Sequence, residues 1–128
     1  MRAAAIQFVA TPFARERNLQ TAERLIRAAA AQGAQLAALP ELFNTGYAYS
    51  PRLPQAAELP DGPTARWLAG LSAELGVTLA GSLLTREGGR VHNTLLLVEP
   101  DGTRHTYRKR HPFLWENCYF ERGSEPRI

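Results

Sequence analysis

Two charged residues stand where apolar strands run out. Glu41 follows Pro40 at the end of "QLAALP", and Lys109 closes "TRHTYRK". The C-terminal ends of strands are where the sites of α/β proteins collect. A carboxylate that emerges from "LAALP" and is followed by Leu42 and Phe43 is expected to be poorly solvated, a setting in which carboxylates act as general acids or bases. It could equally sit at the start of a short helical turn and be satisfied by backbone N–H groups. Lys109 is the only lysine among fifteen lysines and arginines. An ammonium is a compact point charge, whereas a guanidinium is a broad fork that stays protonated. One lysine amid arginines is therefore either a chemical requirement or what a compositional bias leaves behind. Together, Glu41 and Lys109 make a buried acid/base pair or a structural ion pair. Beyond them, "HPFLWENCYFERG" sets Glu116 and Cys118 among Phe113, Trp115, Tyr119 and Phe120, an arrangement equally consistent with plain packing.

The elements that must position these groups alternate in period. "RAAAIQFVA" (2–10) suits a buried strand closed by Thr11 and Pro12. "ERNLQTAERLIRAAAAQGA" then turns to helical spacing, with Leu19, Ala22, Leu25, Ile26 and Ala29 on one face and Gly33 placed to end it. "QLAALP" (35–40) is a second strand, so the first and second strands are expected to be parallel neighbours in a βαβ unit. Residues 44 to 63 are irregular and proline-rich, and so long a connection is more often functional than idle. Pro63 opens a helix with Trp67, Leu68, Leu71 and Leu75 inward and Gly76 at its end. "VTLAGSLL", "RVHNTLLLVE" and "TRHTYRK", separated by "REGG" and "PDG", predict an antiparallel meander. The fold class is α/β or α+β, with helices on at least one face of the sheet and a second pair to cover the other face missing.

Composition excludes several other readings. The chain has the length of one domain at 128 residues, and 45% hydrophobic with 21% charged residues is a globular balance. A net charge of +3 does not require a nucleic-acid partner. The basic residues of "RHTYRKRH" lie on a strand whose alternate positions must face inward, which argues against a nucleic-acid surface. His105, His111 and Cys118 lack zinc-ligand spacing, and no metal is expected. There is no glycine-rich phosphate loop and no G-x-S-x-G. One cysteine rules out an internal disulfide, and no run approaches a membrane span or a signal h-region, so a cytoplasmic location is the expectation.

Taken together, "AAAIQF", "LPELFNTGY", "VTLAGSLL", "HNTLLLVEPDG", "YRKRHPF" and "WENCYFERG" resemble the carbon–nitrogen hydrolase (nitrilase-like amidase) family, over essentially the whole chain and in family order. The resemblance implies the N-terminal half of an α-β-β-α sandwich, with residues 1–128 as a partial hydrolase domain. It implies hydrolysis of a small amide or nitrile through a Glu-Lys-Cys triad, without a cofactor. On this likeness Glu41 matches the general base, Lys109 the triad lysine, and Glu116 the second glutamate that positions substrate and lysine. A lysine fits between a carboxylate and an oxyanion where a guanidinium is too large. The family's nucleophile lies in a G-V-x-I-C-like turn further along than Ile128, so Cys118 reads as a loop residue and not the nucleophile. The implied partners are a homo-oligomer or a complementing C-terminal half. The competing expectation is a non-catalytic remnant or interaction module that keeps the scaffold.

Overall fold

In the computed structural model, which describes residues 1–124, the first apolar run is in the sheet only over β1 (Ala3–Ala5). A strand across residues 2–10 is therefore too long an expectation. Ile6 still donates its N–H to the Ala38 carbonyl at 2.8 Å, but the chain then heads for Pro12, which has no N–H for a ladder. Helix α1 (Arg15–Ala31) buries Asn18, Ala22 and Ile26, a four-residue spacing that keeps one stripe inward. β2 (Leu36–Ala38) returns beside β1 in parallel, with Ala4 opposite Ala37. Helix α2 (Pro63–Leu75) starts on its proline and ends at Gly76, whose φ of 65° is the left-handed cap.

From Thr78 the sheet changes sense. β3 (Thr78–Glu87) is parallel to β2, while β4 (Arg90–Val98) and β5 (Arg104–Arg108) follow as an antiparallel meander. The sheet order is β1-β2-β3-β4-β5, so every strand lies beside its sequence neighbour. The long connection is ordered by a 3₁₀ turn (Leu53–Ala56) and by Glu58, which bridges to Thr85 in β3.

Both helices cover the same face of this sheet. Ala22, Ile26, Leu68 and Leu71 pack with Ala37, Leu79, Leu83, Leu96 and Val98. Phe43 closes the lower end of this core against Gly81, where an added Cβ would stand 2.8 Å from the Phe43 ring and 3.1 Å from the Leu39 Cβ. Only glycine lets the ring lie that close to the strand. On the other face Leu97 and Tyr107 are half-buried and Leu95 is 41% exposed. The fold is thus α/β with one helical layer on one sheet, half of the four layers expected. No helix among the described residues is long and apolar enough to cross a membrane.

Candidate active site

The turn that carries Glu41 is held from three sides. Pro40 ends the β2 segment, and Leu42 takes a left-handed φ of 48° while its N–H donates to the Ser82 hydroxyl of β3 at 2.9 Å. The N–H groups of Thr45 and Gly46 close the turn on the Leu42 carbonyl, at 3.2 and 2.8 Å. Gly46 has a φ of 74°, and a side chain there would meet Ala10 and Pro12 at 3.1 Å. Asn44 is fully buried; its side-chain amide donates to the Thr64 hydroxyl at 3.1 Å and its backbone carbonyl accepts from the Asn18 side-chain amide at 3.0 Å. Glu41 is thereby tied to α1, α2 and β3, although it lies in none of them.

Lys109 directly follows β5. Its N–H donates to the Asn93 carbonyl of β4 at 2.8 Å, which keeps the residue in register beyond the strand's end. Its Nζ donates to Glu41 Oε1 at 2.9 Å across 68 residues of sequence. It also donates to Glu116 Oε2 at 2.8 Å. Glu116 belongs to a 3₁₀ turn (Leu114–Cys118), is fully buried, and accepts the Phe113 N–H on the same oxygen. The Asn93 amide donates to Glu41 Oε1 at 2.7 Å and approaches Glu116 Oε1 at 3.5 Å. The structure therefore brings Glu41, Lys109 and Glu116 together, with Asn93 between the two carboxylates.

One expectation fails. The Glu41 side chain is 46% exposed and not shielded by Leu42 and Phe43, which turn into the cores instead. The turn points the carboxylate along the uncovered sheet face, where an open groove of about 320 Å³ is lined by Leu39, Glu41, Ser82, Asn93, Leu95, Tyr107 and Lys109.

Charge in the site is set by a contest between burial and pairing. Burial pushes the Glu116 carboxyl up, but the Lys109 ammonium and the Phe113 N–H outweigh it and hold the group below the ordinary range. Burial likewise pushes the Lys109 ammonium down, and hydrogen bonds to Glu116 and Glu41 reverse this to a net rise. Lys109 is thus firmly cationic beside an ionised Glu116 at neutral pH. Burial and the nearby Glu116 and Glu41 carboxylates push the Tyr47 phenol up, so it stays a neutral hydroxyl. Its ring meets Trp115 edge-on at 5.2 Å, and Tyr49 meets the same indole at 5.4 Å. Of the aromatics expected around Glu116, Trp115 meets Tyr119 at 6.0 Å and Phe120 at 6.2 Å beside these tyrosines, while Phe113 is 64% exposed.

Cys118 is exposed at the end of the 3₁₀ turn. The residues of the zinc alternative are not gathered: His105 Nε2 lies 2.8 Å from Glu99 Oε1, and no cluster of three metal-binding side chains occurs among the described residues. Asn93 and the Asn44 network were not singled out from the sequence. The signal for Asn93 is a carboxamide inside the apolar strand "RVHNTLLLV", where an amide without a partner would be costly.

A family model for carbon–nitrogen hydrolases matches residues 2–128. The chain is 37% identical over 112 residues to a nitrilase of Pyrococcus abyssi, covering 85% of this chain and 43% of that protein. It is 38% identical over 114 residues to the omega-amidase NIT2 of Xenopus tropicalis, covering 88% and 41%. An amidase from Nesterenkonia sp. superposes with a TM-score of 0.86 at 31% identity, over 98% of this chain and 49% of that one. A variant of that amidase has been solved with acrylamide added to its active-site cysteine. The chain spans less than half the length of each of these relatives.

Proposed function

We propose, since this chain belongs to the carbon–nitrogen hydrolase family, that it supplies the base and the cation for hydrolysis of a small amide or nitrile, and that residues 1–128 are one part of the hydrolase domain. The observation that carries this reading is the Lys109 ammonium shared between Glu41 at 2.9 Å and Glu116 at 2.8 Å. The nucleophile is a cysteine supplied from outside these residues, and Cys118 is not that group.

In this reading Glu41 takes the thiol proton, and the thiolate attacks the carbonyl carbon of the amide. The carbonyl π pair moves to oxygen as the carbon–sulfur bond forms. An ammonium has three N–H donors, and Lys109 spends two on carboxylates. The third serves the oxyanion, placing fixed positive charge where negative charge develops. Glu41 then returns its proton to the nitrogen as the carbon–nitrogen bond breaks, and water hydrolyses the thioester with Glu41 again as base. Glu116, fully buried and ionised, keeps the ammonium charged and aimed. None of these steps calls for a metal or organic cofactor.

The test is ammonia release from a panel of small amides and nitriles. The 128-residue chain alone is expected to release none. Supplied with the nucleophile-bearing remainder it releases ammonia, and Glu41→Gln lowers kcat by about a thousandfold or more. Turnover by the chain alone that disappears in Cys118→Ala would overturn the assignment of the nucleophile. An equally active Glu41→Gln would remove the base.

A further inference from the structure

Resting on that reading, we infer that Asn93 is a positioning residue that selects which oxygen of Glu41 acts as the base. Glu41 Oε1 accepts two hydrogen bonds, from Asn93 Nδ2 at 2.7 Å and from Lys109 Nζ at 2.9 Å. No donor among the described residues reaches Oε2. A carboxylate oxygen that already carries two donors is a poor proton acceptor, because protonation must displace one of them. The free oxygen, on a side chain 46% exposed, is the one left to take a proton from a nucleophile. Asn93 thus holds the carboxylate by one oxygen and presents the other.

The residue type follows from the charges around it. Both neighbours on this side are carboxylates, which only accept, so the carboxamide nitrogen must face them. Its two N–H groups reach Glu41 Oε1 and, more weakly at 3.5 Å, Glu116 Oε1. An aspartate of the same shape would put a third carboxylate between the other two. The backbone adds a second constraint, since the Asn93 carbonyl takes the Lys109 N–H at 2.8 Å. One β4 residue therefore sets the register of the lysine and the orientation of the base. Asn93 is only 3% exposed, so it is fixed in turn by its strand.

The experiment has two arms, and the first needs no activity. In the 128-residue chain labelled with ¹⁵N at asparagine, the Asn93 side-chain amide protons are followed by NMR in wild type and in Glu41→Gln. Because Glu41 is half in solvent, this variant should fold. One amide proton is expected far downfield, moving upfield in Glu41→Gln. An amide unaffected by Glu41→Gln overturns the assignment, since the carboxamide would then not be holding that carboxylate. In the second arm the chain is assayed together with its nucleophile-bearing remainder. Asn93→Ala should lower kcat about a hundredfold with KM changed less than about threefold, because the base is mis-set while the pocket remains. Unchanged kcat, or a loss confined to KM, overturns it. Wild-type protein without hydrolysis would count against the functional reading alone, leaving Asn93 to be decided by the NMR arm.

Discussion

Replacing Lys109 with arginine is expected to lower kcat/KM about a thousandfold or more, although the positive charge is kept. The Nζ stands 2.9 Å from one carboxylate and 2.8 Å from the other. A single nitrogen can occupy that gap and still direct a third N–H outward. A guanidinium is planar and longer, and its preferred contact is a bidentate grip on one carboxylate. With Glu116 fully buried, the grip would form there or not at all, displacing the link to Glu41 and filling the position proposed for the oxyanion. The assay is kcat/KM for Lys109→Arg in the assembled hydrolase, with circular dichroism as the check on folding. Activity within tenfold of wild type would show that the ammonium's size is not what the site needs. The compositional oddity of one lysine among fifteen basic residues would then be left to chance.

The same pair sets a pH window for stability. The Glu116 carboxyl is lowered in the folded chain, so its contribution is complete above its unfolded value of about 4.3 and is lost as pH falls through the lower folded value. The Lys109 ammonium is raised, so its contribution is complete below about 10.4 and is lost as pH rises through the higher folded value. Between these limits the pair should contribute a constant stability. Urea midpoints measured from pH 7 down to pH 3 are expected to fall, with a shallower fall in Glu116→Gln. An acid limb that is identical in the two proteins would place the titrating group elsewhere.

What was legible in the residues was whatever a short period writes. The four-residue stripe of Ala22 and Ile26 follows from local geometry and appears as expected, and the antiparallel meander of β3, β4 and β5 was written in the turn signals "REGG" and "PDG". The lengths of the first strands were not legible, because Pro12 lies far enough along that the end of pairing at Ile6 depends on where β2 stops. Glu41 and Lys109 were visible as charges at strand ends, yet the exposure of Glu41 was not. It depends on a left-handed Leu42 pinned by Ser82, a contact across 40 residues of sequence. Asn93 was hidden for a similar reason. A carboxamide reads as a strand defect until the two carboxylates it bridges are brought to it from 52 residues before and 23 after.

Glu58 was the least conspicuous of all, an acidic residue in the proline-rich "AAELPDGP". Its removal should be among the most costly changes in the scaffold. Its side chain is 6% exposed and accepts from the Thr64 N–H at 2.8 Å and the Thr64 hydroxyl at 2.6 Å, capping the first turn of α2. It also accepts from Arg15 of α1 at 3.2 Å and faces the Asn44 amide at 3.4 Å. Glu58→Ala leaves the fully buried Thr64 and Asn44 donors short of an acceptor. Arg15, 46% exposed, can return to water, so the loss comes chiefly from the buried donors. The expected cost is about 3 kcal/mol, read as a drop of about 10 °C in Tm. Glu58→Gln keeps the shape but turns one acceptor into a donor facing Thr64, and should recover only part of that loss. Because Asn44 lies three residues beyond Glu41, the alanine variant should also loosen the turn that carries Glu41, and on the proposed function lower kcat when the chain is assayed with its nucleophile-bearing remainder. A cost for Glu58→Ala below about 1 kcal/mol would mean that the buried donors find other partners, and that α2 and the Glu41 turn are held by packing alone.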